Sequence, residues 1–567
     1  MKIYIFVSIF FLFFAGSTKG AEKDYKKVKP VRNVILMIPD GTPTGLLSVT
    51  RWVNWYKERT RTNLSIDPYL CGFVRSNTAI GPIADSGSSA SCYLSGHVQP
   101  SGFIGTYSLD YGDRNLGYID STKAYGPVAN VIEAAQQLKG KSTGLVVTVN
   151  FTHATPADCG AHFYNRDRDD VLASQIVHNN FDVVLGSGNK YLTIELEQYL
   201  KDNGYDVVRN DIEAMRKSTN NKLWSLFHTY NMPYDFDRDP QKDPSLAEMT
   251  EIAINKLNRN KKGFFLMVEG SMVDFSSHNN DPSGMLSEYG AFEKACEVAI
   301  EFAKKDGNTA VIVVPDHGCG GISIGKYHLS RYTALDYKQV FDGVSKFTRT
   351  AEGLVKIINK APYTEVQDIF QKYMGFQLTE KELDDLYHCA DYKQSPLPKE
   401  LRKLKPEPTW HNSSFSAFIS QTIAHHTPFG FSCDTHTGDD VFLAVFNPNN
   451  QIPSGYNTNV ELSHYIQSLV GMNGKMDEFS DNIFAHHDEV FKNFEIKINR
   501  NEKNIHFSTL TVKNPKNGKE LTVFAQTNKI VLKDKGYEKT IRIPSLAIYV
   551  KRTDLFYLPK NLVNYLK

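Results

Sequence analysis

One serine sits in a run of small residues, Ile83-Ala84-Asp85-Ser86-Gly87-Ser88-Ser89-Ala90-Ser91, where little side-chain bulk keeps a ligand from the backbone. If Ser86 opens a helix, free N–H groups and the positive end of the helix dipole face whatever sits on its hydroxyl, an arrangement suited to an anion. Asp40, Glu269, Asp274, His278, Asp316, His317 and His436 supply the carboxylate oxygens and imidazole nitrogens that zinc accepts. Asp274 and His278 fall on one side of the chain if their segment is helical. A serine hydroxyl becomes a good nucleophile when a dication lowers its pKa, and two dications about 4 Å apart can hold attacking and leaving oxygens in line. Arg166 adds a planar fork that can hold an anion by two bonds. Singly, each residue has a structural reading: a Ser-rich turn, a helix cap at Asp40, a turn at Asp316, histidines that pack or face solvent. Together they ask for one explanation rather than several.

The elements that must position them follow from hydropathy. Apolar runs at Asn33 to Ile38, Gly144 to Val149, Phe181 to Leu185, Phe264 to Val268 and Ala310 to Val314 read as buried strands. Phe292, Cys296, Ala299 and Phe302 recur at helical spacing over residues 286–305. The fold expected is α/β, a central and mostly parallel sheet sandwiched by helices. Four of the strands run straight into ligand-type residues: Asp40, His153 to Thr155, Glu269, and Asp316 with His317. In open α/β sheets the ligand site lies beyond the carboxyl ends of the strands, where all four would meet.

Residues 21–489 are read as this main domain, with an insertion over the site at about 320–430 that includes a helical pair at 364–389. Ligand types return at Asp434 to Gly438, before a strand Val441 to Phe446. Residues 490–567 read as a small β-rich C-terminal extension. Residues 1–20 carry Lys2, an apolar run Ile3 to Ala15 and small residues through Gly20, the pattern of a secretory signal and too short a run to span a bilayer, so export is expected, periplasmic or secreted. The net charge of +1 argues against a nucleic-acid or anionic-membrane partner. Seven cysteines without CxxC spacing leave one or two disulfides open and point to no zinc ribbon.

On these motifs the sequence resembles the alkaline phosphatase family. That family's signature is Ile or Val, any residue, Asp-Ser, small residues and Thr; here it departs only at Ser91. Further matches, in the family's order, are His153-Ala154-Thr155-Pro156 with Arg166, Glu269 with Asp274 and His278, Asp316-His317-Gly318, and His436-Thr437-Gly438. The resemblance implies one zinc on Asp274, His278 and His436, and a second on Asp40, Asp316, His317 and the Ser86 oxygen. A third ion, magnesium, would use Asp40, Thr155 and Glu269. Arg166 and His153 would meet the substrate, a small phosphate monoester, and turnover would pass through a phosphoserine at Ser86. Relatives are commonly dimers, which leaves a homodimer open.

His153 stands where some relatives have aspartate, which leaves the third ion's identity open, and Phe275 where others have lysine or histidine. His425 and His426 are rivals to His436. Cys92, Cys159 and Cys319 lie close to site residues, with core packing the expected role. Other readings are a phosphodiesterase or related phosphoryl hydrolase of the same superfamily, against which Ser86, Thr155 and Glu269 tell, and a non-catalytic exported binding protein.

Overall fold

Strand β1 (Asn33–Ile38) is buried along its whole length, and its side chains divide between two cores. Val34, Leu36 and Ile38 face one, and Ile35 and Met37 the other. Side chains alternate along a strand, so an unbroken apolar run needs cover on both faces. The computed structural model describes residue 23 and residues 25–60, 63–109, 120–405 and 414–567. The leader expected over 1–20 lies outside the described residues. Among them, no helix is long and apolar enough to cross a membrane.

The main sheet comprises β1, β2 (Leu70–Arg75), β3 (Ser142–Asn150), β4 (Val183–Ser187), β5 (Asp206–Arg209), β6 (Leu223–Phe227), β7 (Phe264–Glu269), β8 (Thr309–Val313), β9 (Val441–Phe446) and β10 (Gly455–Thr458). Their spatial order is β10-β2-β9-β8-β1-β7-β3-β4-β6-β5. β1 pairs in parallel with both β7 and β8. β9 alone runs against the others, antiparallel to β2 and to β8. An apolar run buried on both faces does not reveal its direction, so the sequence could not announce this reversal. It matters for the site. The beginning of β9 lies where its parallel neighbours end, so residues just before Val441 arrive at the carboxyl edge.

One face carries the helices Ser86–Ser95, Val131–Gln137, Asp169–His178 and Asn459–Val470. The other carries Thr44–Glu58, Leu246–Leu257 and Pro282–Asp306, the last fixed at its start by the Asp281 side chain, which accepts from Ser283 N–H (3.0 Å). The 320–430 insertion, expected over the site, instead adds to this second core, through Phe341, Leu354, Phe370, Leu386, Phe415 and Ile419. None of its described residues lines the cleft described below.

After the main sheet comes a seven-stranded antiparallel sheet, from Ala485–His486 to Leu555–Leu558. Alternating burial in Thr509–Lys513 and Glu520–Phe524 turns Leu510, Val512, Leu521 and Val523 into the same core that holds Val34 and Leu36. Ser174 Oγ–H donates to the Gln526 carbonyl (2.9 Å), and Asn528 Nδ2–H to that of His178 (3.0 Å), tying the two sheets across the helix Asp169–His178. Because that core is shared, the L521A variant should lose about 2–5 kcal/mol. Calorimetry should show a single transition moving down as a whole; a separate early transition with the main one unmoved would show two independent cores.

Candidate active site

The main sheet delivers its ligand-type residues at one edge. Asp40 follows the end of β1, and Gly41 turns the chain there with φ +61°. A Cβ on Gly41 would stand 2.2 Å from Asp274 Oδ1, so only glycine lets these two segments touch. Asp316 follows β8. Its Oδ1 accepts N–H bonds from Gly41 (3.0 Å) and His317 (2.9 Å), which fixes the carboxylate and leaves Oδ2 facing His317 Nε2 at 3.4 Å. Glu269 is the last residue of β7, and Asp274 and His278 share the short helix Met272–His278 that follows it. Thr155 lies in the short helix Ala154–Asp158, after β3.

Ser86 is the first residue of the helix Ser86–Ser95. Asp85 caps it, accepting from Ser88 N–H (3.0 Å) while Ser88 Oγ accepts from Asp85 N–H (3.2 Å). Ser86 Oγ is 3.4 Å from Asp40 Oδ2 and 3.3 Å from His317 Nε2. Ser91, the one departure from the family signature, donates through Oγ to Asp158 and accepts from Gly105 N–H (2.9 Å). Asp85 has a second task that the sequence did not assign: its Oδ2 accepts from Arg166 Nη1–H at 2.8 Å. Burial alone would raise the Asp85 pKa, but Arg166 and the Ser88 bonds outweigh it and hold the carboxyl below its ordinary value.

His436 arrives by the reversal of β9. It lies in a two-residue ribbon, His436–Thr437 against Gly318–Cys319, that carries it beside His317, the two rings stacked with centroids 3.7 Å apart. His436 Nδ1–H donates to the Ala84 carbonyl (2.8 Å), and His278 Nδ1–H to that of Asp434 (2.8 Å). With both Nδ1 atoms held by carbonyls, the two Nε2 atoms converge at 3.0 Å. Two neutral imidazoles in these tautomers would aim lone pairs at each other, an arrangement that a cation between them resolves. The rivals are elsewhere: His426 pairs with Glu382 and stacks on Phe376 in the insertion, and His425 is exposed.

Among the described residues, three groups of side chains could each hold a metal ion: Asp274, His278, Cys319 and His436; Asp40, Asp316 and His317; and Asp40, His153 and Glu269. The chemistry around them fits cations. Both Glu269 oxygens and Thr155 Oγ1 are buried without a protein hydrogen bond, although Thr155, Ser271 and Asp40 lie near enough to act on Glu269 electrostatically. Burial, assisted by Asp316, pushes the Glu269 pKa up to about 8. Burial and then the charges of Asp316, Asp274 and Glu269 raise that of Asp40, while burial lowers that of His317. Bound dications would reverse the carboxyl shifts. Cys319, expected in core packing, instead places its sulfur in the first group.

Asp85, Ser86, His153, Arg166, Asp274, His278 and His436 line a cleft of about 690 Å³ together with Thr152, Asp169 and Tyr191. Within it, Arg166 Nη2 lies 3.4 Å from His153 Nε2.

Compared with known proteins, residues 31–472 match the family model described as Alkaline phosphatase. Alkaline phosphatase 4 of Bacillus subtilis is 30% identical over 480 residues, covering 81% of this chain and 93% of its own. The Thermus thermophilus alkaline phosphatase structure superposes with a TM-score of 0.66 at 22% identity, over 81% of this chain and 95% of that one. A histidine-to-aspartate mutant of TAB5 alkaline phosphatase, with magnesium bound in its M3 site, gives 0.51 at 22% identity, over 78% and 98%.

A carboxyl whose pKa is higher in the folded than in the unfolded chain stabilises the fold while protonated, and that stability goes as pH rises. The metal-stripped protein should therefore lose stability between pH about 4.5 and about 8, the span of the Glu269 shift. Chemical denaturation should show E269Q losing less over that range. Equal losses in both proteins would mean that Glu269 is not the strained carboxyl.

Proposed function

The chain belongs to the alkaline phosphatase family and is a phosphomonoesterase, and from that premise we propose that Ser86 is its nucleophile and that metal ions held at the carboxyl edge of the sheet assist it. Asp274, His278 and His436 hold one zinc. Asp40, Asp316 and His317 hold a second, with the Ser86 oxygen as its further ligand. Asp40, Thr155 and Glu269 hold magnesium. When bound, these ions lower the pKa of a hydroxyl and neutralise charge on the phosphoryl group.

The chain's own residues supply the rest. Asp85 holds the Arg166 guanidinium over the cleft, so that its remaining N–H groups meet non-bridging phosphoryl oxygens. The Ser86–Ser95 helix turns its positive end toward the same charge. Ser86 Oγ attacks phosphorus, the bond to the alcohol oxygen breaks, and the alcohol leaves with a proton. Water then cleaves the phosphoserine, returning the Ser86 hydroxyl and releasing phosphate. The observation that carries the reading is Ser86 Oγ at 3.3 Å from His317 Nε2 and 3.4 Å from Asp40 Oδ2, in the cleft that Arg166 also lines.

His153 lies with Asp40 and Glu269, which makes it the residue that retunes the third ion. Export rests on Lys2 and the apolar run Ile3 to Ala15.

The S86A variant should lose at least ~10³-fold of its turnover of an aryl phosphate at pH 9 while keeping its zinc by elemental analysis. Unchanged turnover would refute the nucleophile. H153D, which adds a carboxylate beside Asp40 and Glu269, should bind magnesium at least ~10-fold more tightly by titration calorimetry, a gain of about 1.4 kcal/mol. Unaltered affinity would separate His153 from the third site.

A further inference from the structure

The ribbon that brings in His436 brings a second donor with it. Cys319 stands directly opposite His436 in the antiparallel pairing. Residues so opposed project to the same face, a few ångströms apart. His436 aims its Nε2 at His278 Nε2 and Asp274, so the same face carries the Cys319 sulfur toward them. The glycine that follows the ribbon lets it lie close to the helix Met272–His278: Gly320 has φ +71°, and a Cβ there would stand 2.7 Å from the Ser277 carbonyl. Cys319 is fully buried, and one ligand atom from each of Asp274, His278, Cys319 and His436 lies within 4.8 Å of the others. Among the described residues, no other cysteine joins such a group.

Resting on the metal reading above, we propose that Cys319 is a fourth protein ligand, through sulfur, to the ion held by Asp274, His278 and His436. As the metal–sulfur bond forms, the S–H bond breaks and its proton leaves to solvent; no electrons are transferred. One carboxylate oxygen, two imidazole nitrogens and one sulfur make a tetrahedral set suited to zinc, and the soft sulfur disfavours magnesium and manganese. Catalytic zinc sites ordinarily keep one position for water or substrate. With zinc bound, the Cys319 sulfur would stand as the fourth protein donor beside Asp274, His278 and His436.

The test uses the full-length enzyme, stripped of metal and reloaded with cobalt(II). Wild type should show the visible ligand-field bands of bound cobalt together with a near-ultraviolet sulfur-to-cobalt charge-transfer band. C319S should keep the first and lose the second. C433S, which alters the half-buried cysteine three residues before His436, should keep both. Ligand-field bands without charge transfer in wild type, or charge transfer that survives in C319S, would overturn the role of Cys319 and leave the metal reading standing. Absence of ligand-field bands would overturn both. Independently of any variant, X-ray absorption at the zinc edge of the zinc-loaded wild type should find one sulfur per chain at about 2.3 Å. A shell of nitrogen and oxygen alone would overturn the proposal.

Discussion

Four carboxylates, those of Asp40, Glu269, Asp274 and Asp316, are buried within one small region at the edge of the sheet. Taking even one ion out of water costs several kcal/mol unless something of opposite charge meets it. Among the described residues, Arg166 is engaged by Asp85, although its charge also acts on Asp40, and burial drives His317 toward its neutral form. The metal-free fold therefore holds the Asp40 and Glu269 carboxyls protonated beyond their ordinary range. Dications bound there would resolve that crowding, and the surrounding geometry suits them. Gly41 exists at its position so that Asp40 and Asp274 approach. Two backbone N–H groups take one oxygen of Asp316 and turn the other inward.

The same constraint explains the layering. Ligands must come from far-apart pieces of chain and yet be held to within tenths of an ångström, which loops alone do poorly. The central strands β1, β7 and β8 are adjacent and parallel, so their carboxyl ends deliver Asp40, Glu269 and Asp316 side by side. Both faces of these strands are packed, which fixes where they end. The reversed strand β9 brings His436 to that same edge from the opposite direction. Backbone carbonyls of Ala84 and Asp434 then set the tautomers of the two imidazoles. Because the Ala84 carbonyl lies two residues before Ser86, the orientation of His436 is tied to the position of the serine.

Much of this was legible in the sequence, for a physical reason. Apolar runs such as Asn33 to Ile38 and Phe264 to Val268 are buried on both faces and stand out without periodicity, and the polar residues that end them mark the sheet edge. The Asp274 and His278 pair could be read because helical spacing is local. What depended on pairing was not legible. Strands β5 and β10 are short and only partly buried, and β2 has one buried residue, so none carries a strong pattern. The direction of β9, the ribbon that opposes Cys319 to His436, and the reach of Asp85 to Arg166 are all long-range facts. The insertion showed its helices in the sequence but not its place, because an amphipathic helix such as Val366–Met374 reveals that it has a buried face without revealing what covers it.

The central claim is that this edge is built around two neighbouring cations with the Ser86 hydroxyl beside them. Anomalous diffraction from crystals of the native enzyme, collected on either side of the zinc absorption edge, addresses it most directly. The account predicts two strong peaks about 4 Å apart, one among Asp274, His278 and His436 and one among Asp40, Asp316 and His317. A well-ordered site with one peak or none, or with zinc bound elsewhere on the molecule, would contradict it.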